Sequence, residues 1–146
     1  MKRTIRDLMT KNVVTVTLQD NVHEIAVKMR DHNIGFIPVV DGGRAIGCVT
    51  DRDLVIRGYA EKRPGSAEVA AVMTSPCVKV SPDITPEEAA GIMASRQIRR
   101  LVVEEDGRLV GVVAIGDLAV RDDLRRKSGE ALGEISEPGR QPAGIR

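Results

Sequence analysis

Displaced by 64 residues, this sequence matches itself without a gap. Met9-Thr10 falls on Met73-Thr74, Val14 and Val16 on Val78 and Val80, and Glu24, Ala26 and Met29 on Glu88, Ala90 and Met93. Further along, Ile34 and Val39 fall on Ile98 and Val103, Gly43-Arg44 on Gly107-Arg108, Gly47 on Gly111, Val49 on Val113, and Asp53-Leu54 on Asp117-Leu118. These are 15 identities in the 46 positions from Met9 to Leu54, where ordinary residue usage would give about three. A constant offset over that span means duplication of one unit with no internal insertion, so the fold must be built twice from the same parts.

Each copy carries the same pattern. A short aliphatic strand is expected at Val13–Val16 and at Cys77–Val80. A helix follows, with Val22, Ile25, Ala26 and Met29 in the first copy, and Ala89, Ile92 and Met93 in the second, recurring at helical spacing. Both helices open on a capping signature, Asn21-x-x-Glu24 and Thr85-x-x-Glu88, the second with Pro86 at the first helical position. Two strands joined by a tight turn come next: Phe36–Val40 and Ala45–Val49 around Asp41-Gly42-Gly43-Arg44, then Leu101–Val103 and Leu109–Val113 around Glu105-Asp106-Gly107-Arg108. The glycines supply the positive φ that such hairpins need. A second helix closes each copy, from about Asp51 and about Gly116. The unit is therefore β-α-β-β-α, a mixed α/β (α+β) arrangement, and its unalternating aliphatic strands predict burial on both faces. The repeats are placed at 7–60 and 68–124, with a polar linker at 61–67 and a tail at 125–146 that is partly disordered by composition after a weak helix at Ser128–Ile135.

Composition excludes several functions. With 22 basic and 21 acidic side chains, the chain lacks the cationic excess of a nucleic-acid binder. No apolar run approaches a membrane span, and the first residues carry no apolar signal stretch, so a cytoplasmic location is expected by default. The core must be aliphatic, since there is one Phe, one Tyr and no Trp. Cys48 and Cys77 lie in apolar segments and read as small buried packing residues. His23 and His32 are nine residues apart, not the i,i+4 spacing of a helical metal pair, so no metal site is expected. No nucleophile, P-loop or zinc-protease motif is present, and catalysis is not expected.

The ordered set of motifs resembles the cystathionine-β-synthase (CBS) domain family, as a tandem pair or Bateman module of the stand-alone bacterial type. The marks are Asp7-Leu8-Met9-Thr10 and Ala71-Val72-Met73-Thr74, the Ile34–Asp41 strand, and Gly47-x-x-Thr50-x-x-Asp53. The resemblance spans about Asp7 to Asp122. It implies two repeats packed sheet to sheet with pseudo-two-fold symmetry, clefts between them that take AMP, ADP, ATP or S-adenosylmethionine, a homodimer, and an unknown regulated protein outside the chain.

On that resemblance Asp53 and Asp117 are the ribose positions, because a carboxylate accepts from both neighbouring hydroxyls through charge-assisted bonds. Thr50 adds a hydroxyl beside Asp53. Asp53 pairs with a platform of Val78, Lys79, Leu101 and Val102, and Asp117 with Val14, Thr15, Phe36, Ile37 and Pro38. The adjacent Arg99 and Arg100 are assigned to phosphate in the Asp117 cleft, where Ala114 replaces the threonine. Other readings stay open. Thr50 and Asp53 also make a helix cap, Phe36 also suits a core or a dimer interface, and the arginines also suit a solvated face. An adenosyl-ligand sensor is the leading expectation, and a ligand-free interaction scaffold is the alternative.

Overall fold

The computed structural model describes residues 3–119. The expected tail helix at Ser128–Ile135 and the last residues of the second repeat lie outside that range. The first unit contains α1 (Val22–His32), β1 (Phe36–Asp41), β2 (Arg44–Thr50) and α2 (Asp51–Asp53), which runs on as a π-helical stretch over Leu54–Tyr59. The second unit contains β3 (Lys79–Val80), α3 (Pro86–Arg96), β4 (Arg100–Glu105), β5 (Arg108–Ala114) and α4 (Ile115–Leu118).

Local signals produce the elements they predict. Asn21 accepts from Glu24 N at 2.9 Å while Glu24 accepts from Asn21 N at 3.0 Å. Thr85 and Glu88 make the same reciprocal box at 3.1 and 2.9 Å. Each box satisfies two amides that helix geometry leaves without partners. Both helices end on a left-handed residue, Asn33 (φ 53°) and Gln97 (φ 56°). Gly42 and Gly43 (φ 58° and 84°), and Asp106 and Gly107 (φ 54° and 75°), hold the two-residue hairpin turns in the doubly positive-φ form that matches strand twist. In each hairpin one residue is extra, Ile46 between the Val39–Gly47 and Val40–Ala45 pairs, and Val110 at the same place in the second unit.

The first strand of each unit is shorter than expected. Lys79–Val80 pairs in parallel with Val102–Val103, and in the first unit only Val16 bridges Val39. The reason lies on both sides of the segment. Thr17 N donates to Asp20 Oδ2 at 2.7 Å and turns the chain away. Upstream, the chain is drawn to the other unit, where Thr10 pairs with Val112 of β5.

That crossing is reciprocal. Thr74, the repeat equivalent of Thr10, pairs with Cys48 of β2, the equivalent of Val112. The opening turn Ile5–Asp7 packs on the second unit: Ile5 is fully buried in a core with Ala89, Met93, Leu101, Val103, Val113 and Leu118. Val69 and Val72 are fully buried in the first unit's core, with Ile25, Ile37, Val39 and Val49. Gly47 and Gly111 sit where these segments cross. A Cβ on Gly47 would lie 2.7 Å from Thr74 O, and one on Gly111 would lie 2.6 Å from Met9 Sδ and 2.9 Å from Thr10 O.

A third apolar cluster, Ala45, Cys48, Cys77 and Val102 with Phe36 and Leu109 against it, fills the seam between the sheets. Strand burial on both faces follows: Ile37 and Leu101 face the helices, and Val102 faces the seam. The seam is also sutured by polar contacts. Leu109 N donates to Gly43 O at 2.8 Å and Ala45 N to Glu104 Oε2 at 2.7 Å. One helix position departs from its pattern: Ala26 is exposed on α1, whereas its equivalent Ala90 is buried on the second unit's wider apolar helix face.

Candidate ligand clefts

Two cavities open at the seam, related by the repeat. The first, about 310 Å³, is walled by Thr10, Val14, Phe36, Arg100, Ala114 and Asp117, with Asn12 and Asn33 at its edge. The second, about 220 Å³, is walled by Cys48, Thr74, Cys77, Val78, Val102 and the same Phe36. Arg96, Arg99 and Arg100 also reach it. Phe36 and Arg100 are repeat equivalents, so they meet at the pseudo-two-fold axis. The guanidinium carbon lies 5.7 Å from the ring centroid, within cation–π range.

In the first cavity one carboxylate and one guanidinium share an enclosure with Thr10, Asn12, Asn33 and the apolar walls. Asp117 Oδ2 accepts from Ala114 N at 2.7 Å. Ala114 has no side-chain oxygen to accept in return, so only half of a capping box exists, and Asp117 is half-buried. An ionised carboxylate has about four acceptor positions, so Asp117 keeps capacity for a ligand. Burial, together with Arg99, lowers the Arg100 guanidinium, while Asp51 and Asp117 favour its charge. It stays a cation in any ordinary buffer.

The equivalent acid in the first unit is placed differently. Thr50 N donates to Asp53 Oδ2 at 2.9 Å, and Asp53 N donates to Thr50 Oγ1 at 3.0 Å. Both side chains are buried, at 1% and 8% exposure, and neither is among the walls of the second cavity. Asp53 Oδ1 stands 3.9 Å from Arg57 Nε. The capping role is thus what the contacts of Thr50 and Asp53 display.

Several residues expected at the clefts lie elsewhere. Ile37 and Leu101 are fully buried in the helix-side cores, because β1 and β4 point them away from the seam. Pro38 is buried and is not a wall of either cavity. Thr15 offers its carbonyl to Lys28 Nζ at 2.8 Å, outside both cavities. Lys79 pairs with Glu104 at 3.5 Å and lines a separate surface groove beside α3. Arg99 corrects a pairing: it belongs to the second cavity, and only Arg100 reaches the Asp117 side. Arg99 lies in the bend before β4 and Arg100 is its first residue; both reach the second cavity and only Arg100 reaches the first, so the pair does not act as one unit on the Asp117 side.

Residues that the motif reading passed over also line the clefts. Asn12, Asn33 and Thr10 border the first, and Thr74 and Arg96 border the second. Burial pushes the Cys48 thiol up to about 12, with Cys77 and Asp53 adding to it, and raises Cys77 as well. Both thiols are therefore neutral at pH 7. Among the described residues no cluster of three or more His, Cys, Asp or Glu side chains is arranged to hold a metal ion, and no helix is long and apolar enough to cross a membrane.

The model of the CBS domain matches residues 5–58 and again residues 69–122. The chain belongs to the CBS domain family. It is a tandem CBS pair, with the two domains joined at their sheets. It is 46% identical over 135 residues to the uncharacterized protein YlbB of Bacillus subtilis, covering 91% of each chain. The crystal structure of Hypoxic Response Protein I with two coordinated zinc ions superposes with a TM-score of 0.74 at 31% identity, covering 82% of this chain and 98% of that one. The CBS domain protein PAE2072 of Pyrobaculum aerophilum, complexed with AMP, shares the fold at TM-score 0.77 and 22% identity, over 88% of this chain and 99% of that one.

Proposed function

We propose that this CBS pair is a non-catalytic regulatory module that binds an adenosyl ligand, AMP, ADP, ATP or S-adenosylmethionine, in the first cavity. The observation that carries this reading is the convergence of Asp117 and Arg100 on one enclosure of about 310 Å³, at the small end of ligand-site volumes. Asp117 takes the ribose hydroxyls. Arg100 faces the phosphate or another anionic group, and Val14 and Phe36 flank the base. PAE2072, a protein of the same fold, is complexed with AMP. Signalling to a regulated protein then depends on how differently the ligand binds two states of the pair.

Titration calorimetry with these four ligands tests the reading. Asp117→Ala should abolish measurable binding of the preferred ligand, and Asp53→Ala should leave the heat of binding intact in whatever fraction stays folded. Full binding by Asp117→Ala, or no heat with any of the four, overturns it. Thermal unfolding gives a second readout, because a ligand at 100 times its Kd adds about 2.7 kcal/mol to stability.

A homodimer is part of the proposal. Val55, Ile56 and Tyr59 are 56%, 48% and 85% exposed on the π-helical stretch of the first unit. Such a patch suits a second copy of the chain. Light scattering on a Tyr59→Glu variant should show monomer where the wild type shows dimer. The same patch is what favours the alternative, an interaction scaffold without a ligand, and the calorimetry separates the two.

A further inference from the structure

We propose that the first unit carries an open seat for one guanidinium, the head of an arginine, at the turn end of its β1–β2 hairpin. None of its walls belongs to either seam cavity, so the inference is independent of the nucleotide reading.

The repeat supplies the template. In the second unit Arg6 lies across the matching hairpin end. Its guanidinium donates to Glu105 at 2.6 and 3.1 Å and to Asp83 at 2.9 Å, and its backbone N donates to Pro82 O at 3.2 Å. The 64-residue displacement puts Ala70 where Arg6 stands, Asp41 where Glu105 stands and Gln19 where Asp83 stands. The chain path agrees with that register. Ile5 and Val69, the residues just before, are both fully buried, one in the core of each unit. Thr17 Oγ1 accepts from Gln19 N at 3.2 Å as Ser81 Oγ accepts from Asp83 N at 3.1 Å, so the loop beside the seat makes the same turn in both units.

Ala70 ends at its Cβ, and the room that a guanidinium fills in the second unit is open in the first. A depression of about 370 Å³ is lined by residues 17–19 and 40–43. These are the equivalents of 81–83 and 104–107, the two stretches that grip Arg6. Among the described residues, the side chains of Asp41 and Gln19 have no hydrogen-bond or ion-pair partner. A carboxylate accepts the two parallel N–H bonds of a guanidinium, and the Gln19 side-chain carbonyl adds an acceptor. Leu18 and Val40 flank the alkyl stem. One like charge stands close, since a Cβ on Gly43 would lie 2.8 Å from an Arg108 guanidinium nitrogen. The template has the same neighbour: a Cβ on Gly107 would lie 3.8 Å from Arg44 Nε, and Arg6 binds beside it. With one carboxylate at an exposed site, binding is weak, on the order of 1 mM.

Amide-shift titration of the full chain with N-acetyl-arginine amide, its lysine and citrulline counterparts, and L-arginine tests this. The arginine amide should shift Gln19, Asp41, Gly42 and Gly43 saturably. Citrulline, uncharged with the same outline, should leave them in place, and lysine, which lacks the planar fork, should bind more weakly. L-arginine binding as tightly as the capped form assigns the seat to the free amino acid, and weaker binding assigns it to an arginine on a partner protein. Asp41→Asn should weaken the arginine amide by about threefold. Ala70→Arg should fill the seat from within, shifting the same amides without ligand and abolishing the titration. The proposal is overturned if the shifts are absent or lie outside the seat, or if lysine or citrulline matches arginine. It is also overturned if Asp41→Asn or Ala70→Arg binds the arginine amide like wild type.

Discussion

The two CBS units share their backbone plan, but the two acids at equivalent positions live in different surroundings. Asp53 is enclosed, with its carboxylate and its amide both bound to Thr50. Asp117 faces a cavity, and its Oδ2 accepts from the amide three residues upstream as that of Asp53 does. What separates the two acids is burial: Asp53 is 8% exposed and away from the cavity walls, whereas Asp117 is half-buried on one. Residue identity at a motif position is a poor guide to role unless its surroundings are read with it.

The largest expected effect tests whether the units are equally dependent on the segments that cross them. Gly47→Ala places a Cβ against a backbone oxygen at 2.7 Å and should cost about 3 kcal/mol in urea unfolding. Gly111→Ala should cost somewhat less, because its nearest backbone atom, Thr10 O, is at 2.9 Å and the still closer Met9 side chain can move. Equal losses would mean that the wider approach to Thr10 O gives no relief. Next, Asp53→Ala should lower stability by about 2 kcal/mol, since it strips a buried box and leaves Thr50 N without its acceptor. Asp117→Ala should lower it by about 1 kcal/mol or less. A reversal of that order in chemical denaturation would contradict the roles argued for the two acids.

A third effect is one of pH. Cys48 is matched by Val112 in the second unit, so the titration is confined to one side of the seam. Folding raises the thiol's pKa to about 12, so stability is complete below the ordinary thiol value of about 8.5 and declines as pH rises through the interval between them. Unfolding at pH 10 should show a loss of about 1–2 kcal/mol relative to pH 7, and Cys48→Val should reduce that loss. An unchanged pH dependence in the variant would place the titration elsewhere. The smallest effect is a gain. Ala114→Thr should complete the second box and raise stability by about 0.5–1 kcal/mol in chemical denaturation.

Much of the fold was legible in the sequence because its signals are local. Caps three residues apart and paired turn residues with positive φ specify their own geometry, and the repeat registers one unit on the other. The exchange of opening segments was not legible. Ile5 and Val69 announce that they will be buried, but apolarity does not say in which of two similar cores. The matched pair Gly47 and Gly111 was the available clue, since a glycine inside a strand marks close backbone approach. The site was less legible for a related reason. In strands that are apolar throughout, nothing distinguishes the face of Ile37 and Leu101 from the face of Val102, and nothing in the letters says that Arg100 reaches both cavities and Arg99 only one. Asp53 and Asp117 read alike as letters, and only their neighbours separate them.

The reciprocal crossing of Ile5–Asp7 and Val69–Ala71 has a consequence for the molecule as a whole. Neither domain owns all the side chains that complete its interior, so a chain cut between the repeats would yield halves that each lack a plug and carry a spare one. Two hydrophobic interiors are thereby made to melt as one cooperative body. Whatever bends the seam is felt in both interiors at once.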